Sequence, residues 1–568
     1  MKQPKLVAAL IAGNEEHIIE RCVRSLKKLV DDIVVVRAIG GADPDKTLDI
    51  AKKLGCHTAI YRNSPICASW PHLDHFANAR NISFERAYDL AGQDGWVMWA
   101  DCDDILQENM VEPHEKAIRD CKADCQWIMT DYVIPEQSRR APRERLFRYR
   151  TGWWTRPVHE NVHPAMTCGE KPSSVKIWTR RDLEIIHAPG LHKRGSNERN
   201  MRILAYNDSF TPHFKFYQHY ENLIIGQNER AVRYGKEALA LENLDGVHRY
   251  EVLLNLSNLS PKPQMAFDLA QAAFKLDPAR REAIAVGACI LLDMGHVDEA
   301  LTAIEQMEAI QAPSFQQWTH RNEWYGWKAA QLKAWALRMA GRGDEATEVE
   351  SAVLKQARKD GLPIISLIHA TRGRPIKAVQ TMTQWFQRAR YPERVQHIFA
   401  TDADDATARH LERFGGVIQS NPEGYSVGAW NLAAQYATGD IIVQLSDDWE
   451  CPPGWDEMIA ERLDIEKPQV LRISDGYRKD DLLCMAILTA RYYAAHELFD
   501  PRFRNVYSDT DFTFRAEKNG AIVDARDVMF IHHHPFWEKT ELDTTYQRGN
   551  DPAEYERAKK LFEEIHGN

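Results

Sequence analysis

Gly95-Trp96-Val97-Met98-Trp99-Ala100-Asp101-Cys102-Asp103-Asp104 is an apolar run that stops on acids. Its length and composition are those of a buried strand. Side chains two residues apart in an extended chain point the same way, so Asp101 and Asp103 share a face and can share one hard cation. Carboxylates at the carboxyl end of a buried strand suit Mg²⁺ or Mn²⁺ carrying a diphosphate, at the edge where open α/β sheets place ligands. The alternative is an acidic turn that caps the following helix. A second stretch of the same design weighs against it: Gly439-Asp440-Ile441-Ile442-Val443-Gln444-Leu445-Ser446-Asp447-Asp448 again runs a strand into acids.

The frame around these stretches is that of a soluble multidomain chain. Its 568 residues are enough for three or four domains with ample core. A net charge of −10 creates no global attraction to nucleic acid or anionic membrane, although a local basic groove stays open. Ten cysteines, Cys22, Cys56, Cys121, Cys125 and Cys289 among them, show neither zinc-type pairing nor the density of a disulfide module, which points to reduced thiols in the cytoplasm. Residues 6–12 are apolar but too short to cross a bilayer and lack a cleavage-like site, so the expectation is no targeting or membrane segment.

From the amino end, residues 6–11 read as a buried strand, and Asn14-Glu15-Glu16 as the cap of a helix whose Ile18, Ile19, Cys22, Leu26 and Leu29 form one face. Strands at 32–36 and 58–61 alternate with helices at 45–54 and 75–90, a Gly40-Gly41 turn between. This alternation predicts a parallel sheet with right-handed crossovers, its acids at the ligand edge.

Ile11-Ala12-Gly13-Asn14-Glu15-Glu16, the helix start Asp45-Lys46-Thr47 and Trp99-Ala100-Asp101-Cys102-Asp103, in that order, resemble the N-terminal half of a family 2 glycosyltransferase. The resemblance implies a GT-A fold that binds a nucleoside-diphosphate sugar through a divalent metal. By it, Asn14 and Glu15 lie near the nucleotide, Asp101 near ribose or metal, and Asp103 on the metal. The family usually ends its second strand in an aspartate that helps hold the nucleoside. Here Arg37-Ala38-Ile39-Gly40 stands there, and Asp43 is the candidate substitute.

Farther along, Arg139-Arg140-Ala141-Pro142-Arg143-Glu144-Arg145-Leu146-Phe147-Arg148-Tyr149-Arg150, Trp153-Trp154 and Val158-His159-Glu160 resemble the acceptor side of the same family. Interleaved arginines and aromatics suit a phosphate-bearing or planar acceptor, and equally a solvated basic face. Glu160 is a candidate general base, with an ion pair to one of these arginines as the alternative. His187, at the end of a strand, resembles the histidine that completes the metal shell; a turn histidine is the alternative.

Between about residues 200 and 359 the period becomes helical. Helices are expected at 220–241, 263–276, 283–294 and 301–309. Asp277-Pro278 with the later Gly295-His296-Val297-Asp298-Glu299-Ala300 and Gly341-Arg342-Gly343-Asp344-Glu345-Ala346 turns resembles tetratricopeptide repeats, which implies a concave surface for a peptide or protein partner. Trp318, Trp324, Trp327 and Trp335 read as filler of the helical stack.

A second α/β domain begins near residue 363. Its strand at 395–400 leads into Thr401-Asp402-Ala403-Asp404, which resembles the family with the nucleoside-side aspartate present as Asp402. Asn431, on the helix before the acidic strand, fits the family pattern too. Ser446-Asp447-Asp448 replaces the first metal-motif acid by serine, so Asp448 is the metal candidate and Asp447 a nucleotide-side one. Tyr507-Ser508-Asp509-Thr510-Asp511 resembles the family's base motif, with Asp509 at the base position. His532-His533-His534 closes a strand, and alternate histidines, His532 and His534, face one side toward the metal.

The expected architecture is therefore α/β: two GT-A domains, residues 1–205 and 361–568, joined by an all-α TPR-like repeat, residues 206–360. The resemblance implies Mn²⁺ or Mg²⁺, a nucleoside-diphosphate sugar such as a UDP-sugar, and transfer with inversion to a glycan, a protein or a hydroxymethylated nucleic-acid base, in one step or two. The competing class is a non-catalytic TPR scaffold in which one or both transferase domains have degenerated.

Overall fold

The computed structural model describes residues 4–134, 139–164, 175–188, 196–207, 211–313, 320–419, 425–537, 544–549 and 551–567. Trp318 lies outside them. The chain gathers into two compact units, Met1–Asp277 and Pro278–Ala312 together with Arg321–Asn568, so the helical segment is divided between them.

The first unit is built on strands β1 (Leu6–Ala12), β2 (Asp32–Arg37), β3 (His57–Ile60), β4 (Trp96–Asp101), β5 (Asp104–Ile105), β6 (Trp127–Ile134), β7 (Arg139–Arg148), β8 (Gly152–Thr155), β9 (Asn161–Pro164) and β10 (Ile177–His187). All but β8 and β9, which pair with each other, form one sheet in the order β3-β2-β1-β4-β7-β6-β10-β5. Every residue of β1 is buried because helices cover both faces of the sheet, the condition that makes a parallel strand read as a continuous apolar run. The helix Ile19–Leu26 packs Cys22, Val23 and Leu26 into one face, and Phe84 and Tyr88 of Phe76–Ala91 enter the other.

The sheet differs from the all-parallel expectation. β3, β2, β1 and β4 run parallel, as do β6 and β10, but β7 is antiparallel to both β4 and β6, and β5 is antiparallel to β10. Residues 135–138 are too short a link for a crossover, so β6 and β7 can pair only antiparallel. The Gly40-Gly41 turn is dictated by a close approach: Gly40 has φ +64, and a Cβ there would lie 2.2 Å from the His72 carbonyl oxygen.

In the second unit, β11 (Ile365–Ala370), β12 (Val395–Asp402), β13 (Gly416–Gln419), β14 (Ile441–Leu445), β15 (Trp449–Glu450), β16 (Val470–Ser474), β17 (Ile487–Thr489), β18 (Ile522–Met529) and β19 (Ile531–His532) repeat the plan. The sheet order β13-β12-β11-β14-β17-β16-β18 matches the first seven strands of the other sheet place by place, again parallel up to β14 and antiparallel from β14 to β17.

The helical segment consists of antiparallel pairs. Pro212–Ile224 with Asn228–Leu239 and Gly246–Leu259 with Pro263–Leu276 belong to the first unit, Arg281–Asp293 with Val297–Ala309 and Trp327–Met339 with Gly343–Lys359 to the second. First helices start at 212, 246 and 281, close to the tetratricopeptide period of about 34 residues. Three of the four turns carry a left-handed glycine, Gly226, Gly295 and Gly341. The single helix expected at 220–241 is therefore two, because Gly226 at φ 75 ends the first. Among the described residues no helix is long and apolar enough to cross a membrane.

Candidate active sites

In the first unit β4 ends on Asp101, the chain turns at Cys102-Asp103, and β5 pairs antiparallel with the end of β10, His187 opposite Asp104. The turn breaks the alternation that would have put Asp101 beside Asp103. It assembles a different trio: ligand atoms of Asp103, Asp104 and His187 all lie within 4.8 Å of one another. His187 Nδ1 is 3.6 Å from Asp103 Oδ1 and 3.9 Å from Asp104 Oδ1, and it lies 2.7 Å from the Tyr132 hydroxyl. Asp104 is fully buried. Its Oδ2 accepts from the Asp101 amide (3.0 Å) and Arg145 Nη1 (2.9 Å), whereas its Oδ1 accepts no hydrogen bond from the described residues. A buried carboxylate oxygen left without a donor, beside a second acid and an imidazole, fits a divalent cation.

Asp101 faces the other way. Arg80, on Phe76–Ala91, donates Nη2 to Asp101 (2.8 Å) and Nε to Glu160 (2.7 Å), with its guanidinium against Trp99 and Trp154 at 5.0 and 4.8 Å. The ion-pair partner of Glu160 thus comes from a helix and not from the 139–150 run. Within that run Arg145 is fully buried, stacked 3.7 Å from the centre of Trp99, and Arg148 lies against Trp96. The two arginines serve the core. Removing Arg145 leaves Asp104 charged and poorly paired: Arg145→Leu is expected to destabilise this sheet by about 3–5 kcal/mol, read as faster native-state hydrogen exchange in β4 and β7. Unchanged exchange there would show that the pair contributes nothing.

The loops after β1 and β2 are zipped together. Asn14 Nδ2 donates to the Asp43 carbonyl (2.8 Å), its Oδ1 accepts the Asp45 amide (3.3 Å), and the Glu15 amide donates to Thr47 Oγ1 (2.7 Å). Asn14, Glu15 and Asp43 therefore share one loop cluster.

Two backbone registers align the sites of the two units. Asp104 pairs with His187, and Trp449 pairs with His532. The residue after each histidine donates its amide to the acid before the pair, Ala188 to the Asp103 carbonyl at 2.7 Å and His533 to the Asp448 carbonyl at 2.9 Å. Asp103 and Asp448 hence hold one position, and Asp101 and Ser446 another.

In the second unit a cavity of about 570 Å³ is lined by Asp402, Asp447, Asp448, Asp509, His532 and His534, all singled out from the sequence. Asn431 does not line it, its side-chain amide being bonded to the backbone of Phe499. Asp448 Oδ1 accepts from Ser446 Oγ (2.7 Å); its Oδ2 accepts from the Tyr546 hydroxyl (2.8 Å) and lies 3.4 Å from His532 Nε2. Burial alone would raise its pKa, but His532 and the Ser446 and Tyr546 hydroxyls more than offset this and hold the carboxylate well below its usual range. His532 is fixed by stacking on Trp449 at 4.1 Å, and His534 meets the Tyr546 ring edge at 5.3 Å. Asp447 turns into the sheet, to His369 Nε2 (2.9 Å) and Thr371 Oγ1 (3.0 Å). Asp402 accepts from Arg372 (2.6 Å), Gln419 (2.7 Å) and Arg548 (3.3 Å).

Asp509 stands in the first turn of the helix Ser508–Lys518, its Oδ1 accepting the Thr510 amide at 2.8 Å. Burial raises its pKa, with Arg478 pulling the other way. Asp511, two residues on, is spent on Arg515 and His566, both at 2.8 Å. One carboxylate of the pair is left facing the cavity.

Sequence reading passed over Asp104, Arg80, Tyr132, Arg372, Arg548 and Tyr546. Asp104 had a signal, since it continues the acidic run. Tyr546 follows Asp448 by 98 residues and had none.

Two sheets share one strand order, and in each an acid and a histidine converge, so the chain carries two α/β domains of one plan. The family model described as Glycosyl transferase family 2 matches residues 8–170 and 355–517, more than half of the sequence. The chain belongs to that family and is a glycosyltransferase. No curated protein matches it. Among solved structures, the crystal structure of MamA is 20% identical, with 29% of this chain and 92% of that one covered and a TM-score of 0.25. TTC0263, a thermophilic TPR protein of Thermus thermophilus, is 16% identical (29% and 84% covered, TM-score 0.22). YrrB, described as a TPR protein with an unusual peptide-binding site, is 19% identical (27% and 75% covered, TM-score 0.22).

Proposed function

We propose that the second domain, residues 361–568, transfers a sugar from a nucleoside-diphosphate sugar, a UDP-sugar in the first instance, to an acceptor hydroxyl with inversion. One observation carries this reading: a single cavity presents Asp402 for the nucleoside, Asp448 with His532 for a divalent cation, and Asp509 for a proton. When bound, Mn²⁺ or Mg²⁺ would neutralise the leaving diphosphate. Asp448, His532 and His534 in this domain would hold it, as would Asp103, Asp104 and His187 in the first, the trio whose ligand atoms converge. Asp402, itself held by Arg372 and Arg548, orients the nucleoside. Asp509 takes the acceptor proton as the acceptor oxygen bonds to the anomeric carbon; the bond to the diphosphate oxygen breaks and its electron pair leaves with the diphosphate. No covalent sugar intermediate is needed. The test is a panel of nucleoside-diphosphate sugars with Mn²⁺ and no acceptor, where metal-dependent slow hydrolysis supports the reading and absence of binding by every donor favours a scaffold.

The pH profile offers a second check. A base works deprotonated, and burial raises the pKa of Asp509 above the ordinary aspartate value. Turnover is therefore expected to fall as pH drops through that raised value, on an acidic limb displaced upward. A limb at the ordinary aspartate pKa would argue against this base.

The first domain, residues 1–205, differs where donors are read. β12 ends on Asp402 whereas β2 ends on Arg37, and in the first domain Arg80 clamps both Asp101 and the candidate base Glu160. We infer a division of labour, with different donors or acceptors and two transfers in sequence, the repeat of residues 206–360 holding a peptide or protein partner. Product masses after Asp103→Ala and Asp448→Ala decide: loss of only the second sugar in one variant is expected, and identical products from both would sink the idea.

A further inference from the structure

The last helix pair and the second sheet enclose another cavity, of about 480 Å³, which shares no lining residue with the reaction cavity. Its size is that of small-molecule sites. Its walls include two flat aromatic faces: Trp327 stacks on Phe386 at 5.0 Å and 14°, and Trp335 lies against Phe414 at 6.1 Å and 32°.

The polar groups on these walls decide what would fit. Arg338 gives both Nη groups to Glu350, with bonds of 2.9 and 2.6 Å, and Lys328 stays by Glu323 at 3.6 Å. Arg413 has capacity left. It gives Nη1 to Asp293 at 3.0 Å, lies 4.4 Å from the centre of Trp335, and its Nε donates to nothing among the described residues.

The other polar group is His397, whose Nε2 is 3.0 Å from His369 Nδ1, while His369 Nε2 is 2.9 Å from Asp447 Oδ1. An ionised carboxylate only accepts, so in the neutral chain His369 Nε2 carries the proton and its Nδ1 accepts from His397 Nε2–H. This leaves His397 Nδ1 as an acceptor. Burial, reinforced by His369, holds His397 well below the usual histidine range, which keeps the ring in that neutral form.

We propose that this cavity binds a planar aromatic anion carrying an N–H group, its ring against the Trp327–Phe386 and Trp335–Phe414 faces, its charge on Arg413 and its N–H on His397 Nδ1. Flat faces and a stacked guanidinium match an aromatic ring better than an alkyl chain, and a guanidinium bonded to Asp293 through Nη1 alone keeps donors for an anion. The site goes beyond the transfer reaction and stands without it.

The probe is indole-5-carboxylate, which has all three features, titrated calorimetrically into the whole chain, with naphthalene-2-carboxylate, which lacks the N–H, as competitor. One saturable site is expected. Arg413→Gln and the cavity-filling Ala330→Trp should each weaken it about tenfold with thermal unfolding unchanged, and Ser351→Trp replaces Ala330→Trp if the latter fails to fold. His397→Phe keeps a flat ring but should reduce the preference for the indole probe over its competitor by about three- to tenfold. Absence of binding, affinity that Arg413→Gln and the filling variants leave alone, or a preference that His397→Phe does not move overturns the proposal. No donor sugar is needed, so failure here is distinct from failure of the transferase reading.

Discussion

Asp509→Asn is expected to fold, to bind donor as the wild type does, and to turn over about a hundredfold more slowly or worse. The substitution keeps the shape and an oxygen that can accept the Thr510 amide, so the first turn of Ser508–Lys518 is preserved. What asparagine loses is the ability to take a proton. A purely structural Asp509 would behave in the opposite way, because a carboxylate in a first helical turn interacts favourably with the helix dipole and its neutralisation costs about 0.3–1 kcal/mol of stability without touching chemistry. Asp511 offers no substitute base, since Arg515 and His566 hold it. Near-normal turnover of a well-folded Asp509→Asn protein, on a substrate shown to need the second domain, would remove this residue from the mechanism.

The other large effect belongs to the metal-side acids. Asp448→Ala should abolish metal-dependent donor binding in the second domain, and Asp103→Ala in the first, each by about a hundredfold or more. Each variant leaves the other domain as its internal control. Tyr546→Phe, which only unties the hydroxyl from Asp448 Oδ2, should cost about tenfold. Calorimetric titration of Mn²⁺ with UDP separates these cases. If both alanine variants retain wild-type metal and nucleotide affinity, the assignment of these acids is wrong. Asp104→Ala is the less informative choice, because Asp104 also accepts from Arg145 and its loss disturbs the sheet along with the site.

The strands that place these residues were legible because their composition is extreme. Residues 6–12 and 96–100 are continuous apolar runs, a pattern that only a strand buried on both faces, or a short buried helix, can use, and the acids at the end of each β4-type strand marked the ligand edge before any contact was known. Asp103, Asp448, Asp402, Asp509, His187 and His532 were singled out through the family resemblance, by their order along the chain. The reversed strand β7 was not legible: its direction follows from the short link between β6 and β7, and alternation of strands and helices says nothing about it. The break at Gly226 was missed for a related reason, since apolar periodicity continues across a three-residue turn.

By itself the sequence determined the class of the chain: two copies of one α/β plan around helix pairs, with acids and a histidine at set stations in each. These follow from local rules, periodicity and strand-end chemistry, which act over a few residues. Only the tertiary structure decided which acids meet. The turn at Cys102-Asp103 swings Asp104 onto His187 and leaves Asp101 to Arg80, and the bond from Tyr546 to Asp448 spans 98 residues. Such choices depend on where a distant strand or helix arrives in the sheet, and that geometry is set by packing of the whole core, not by any stretch of the chain read alone.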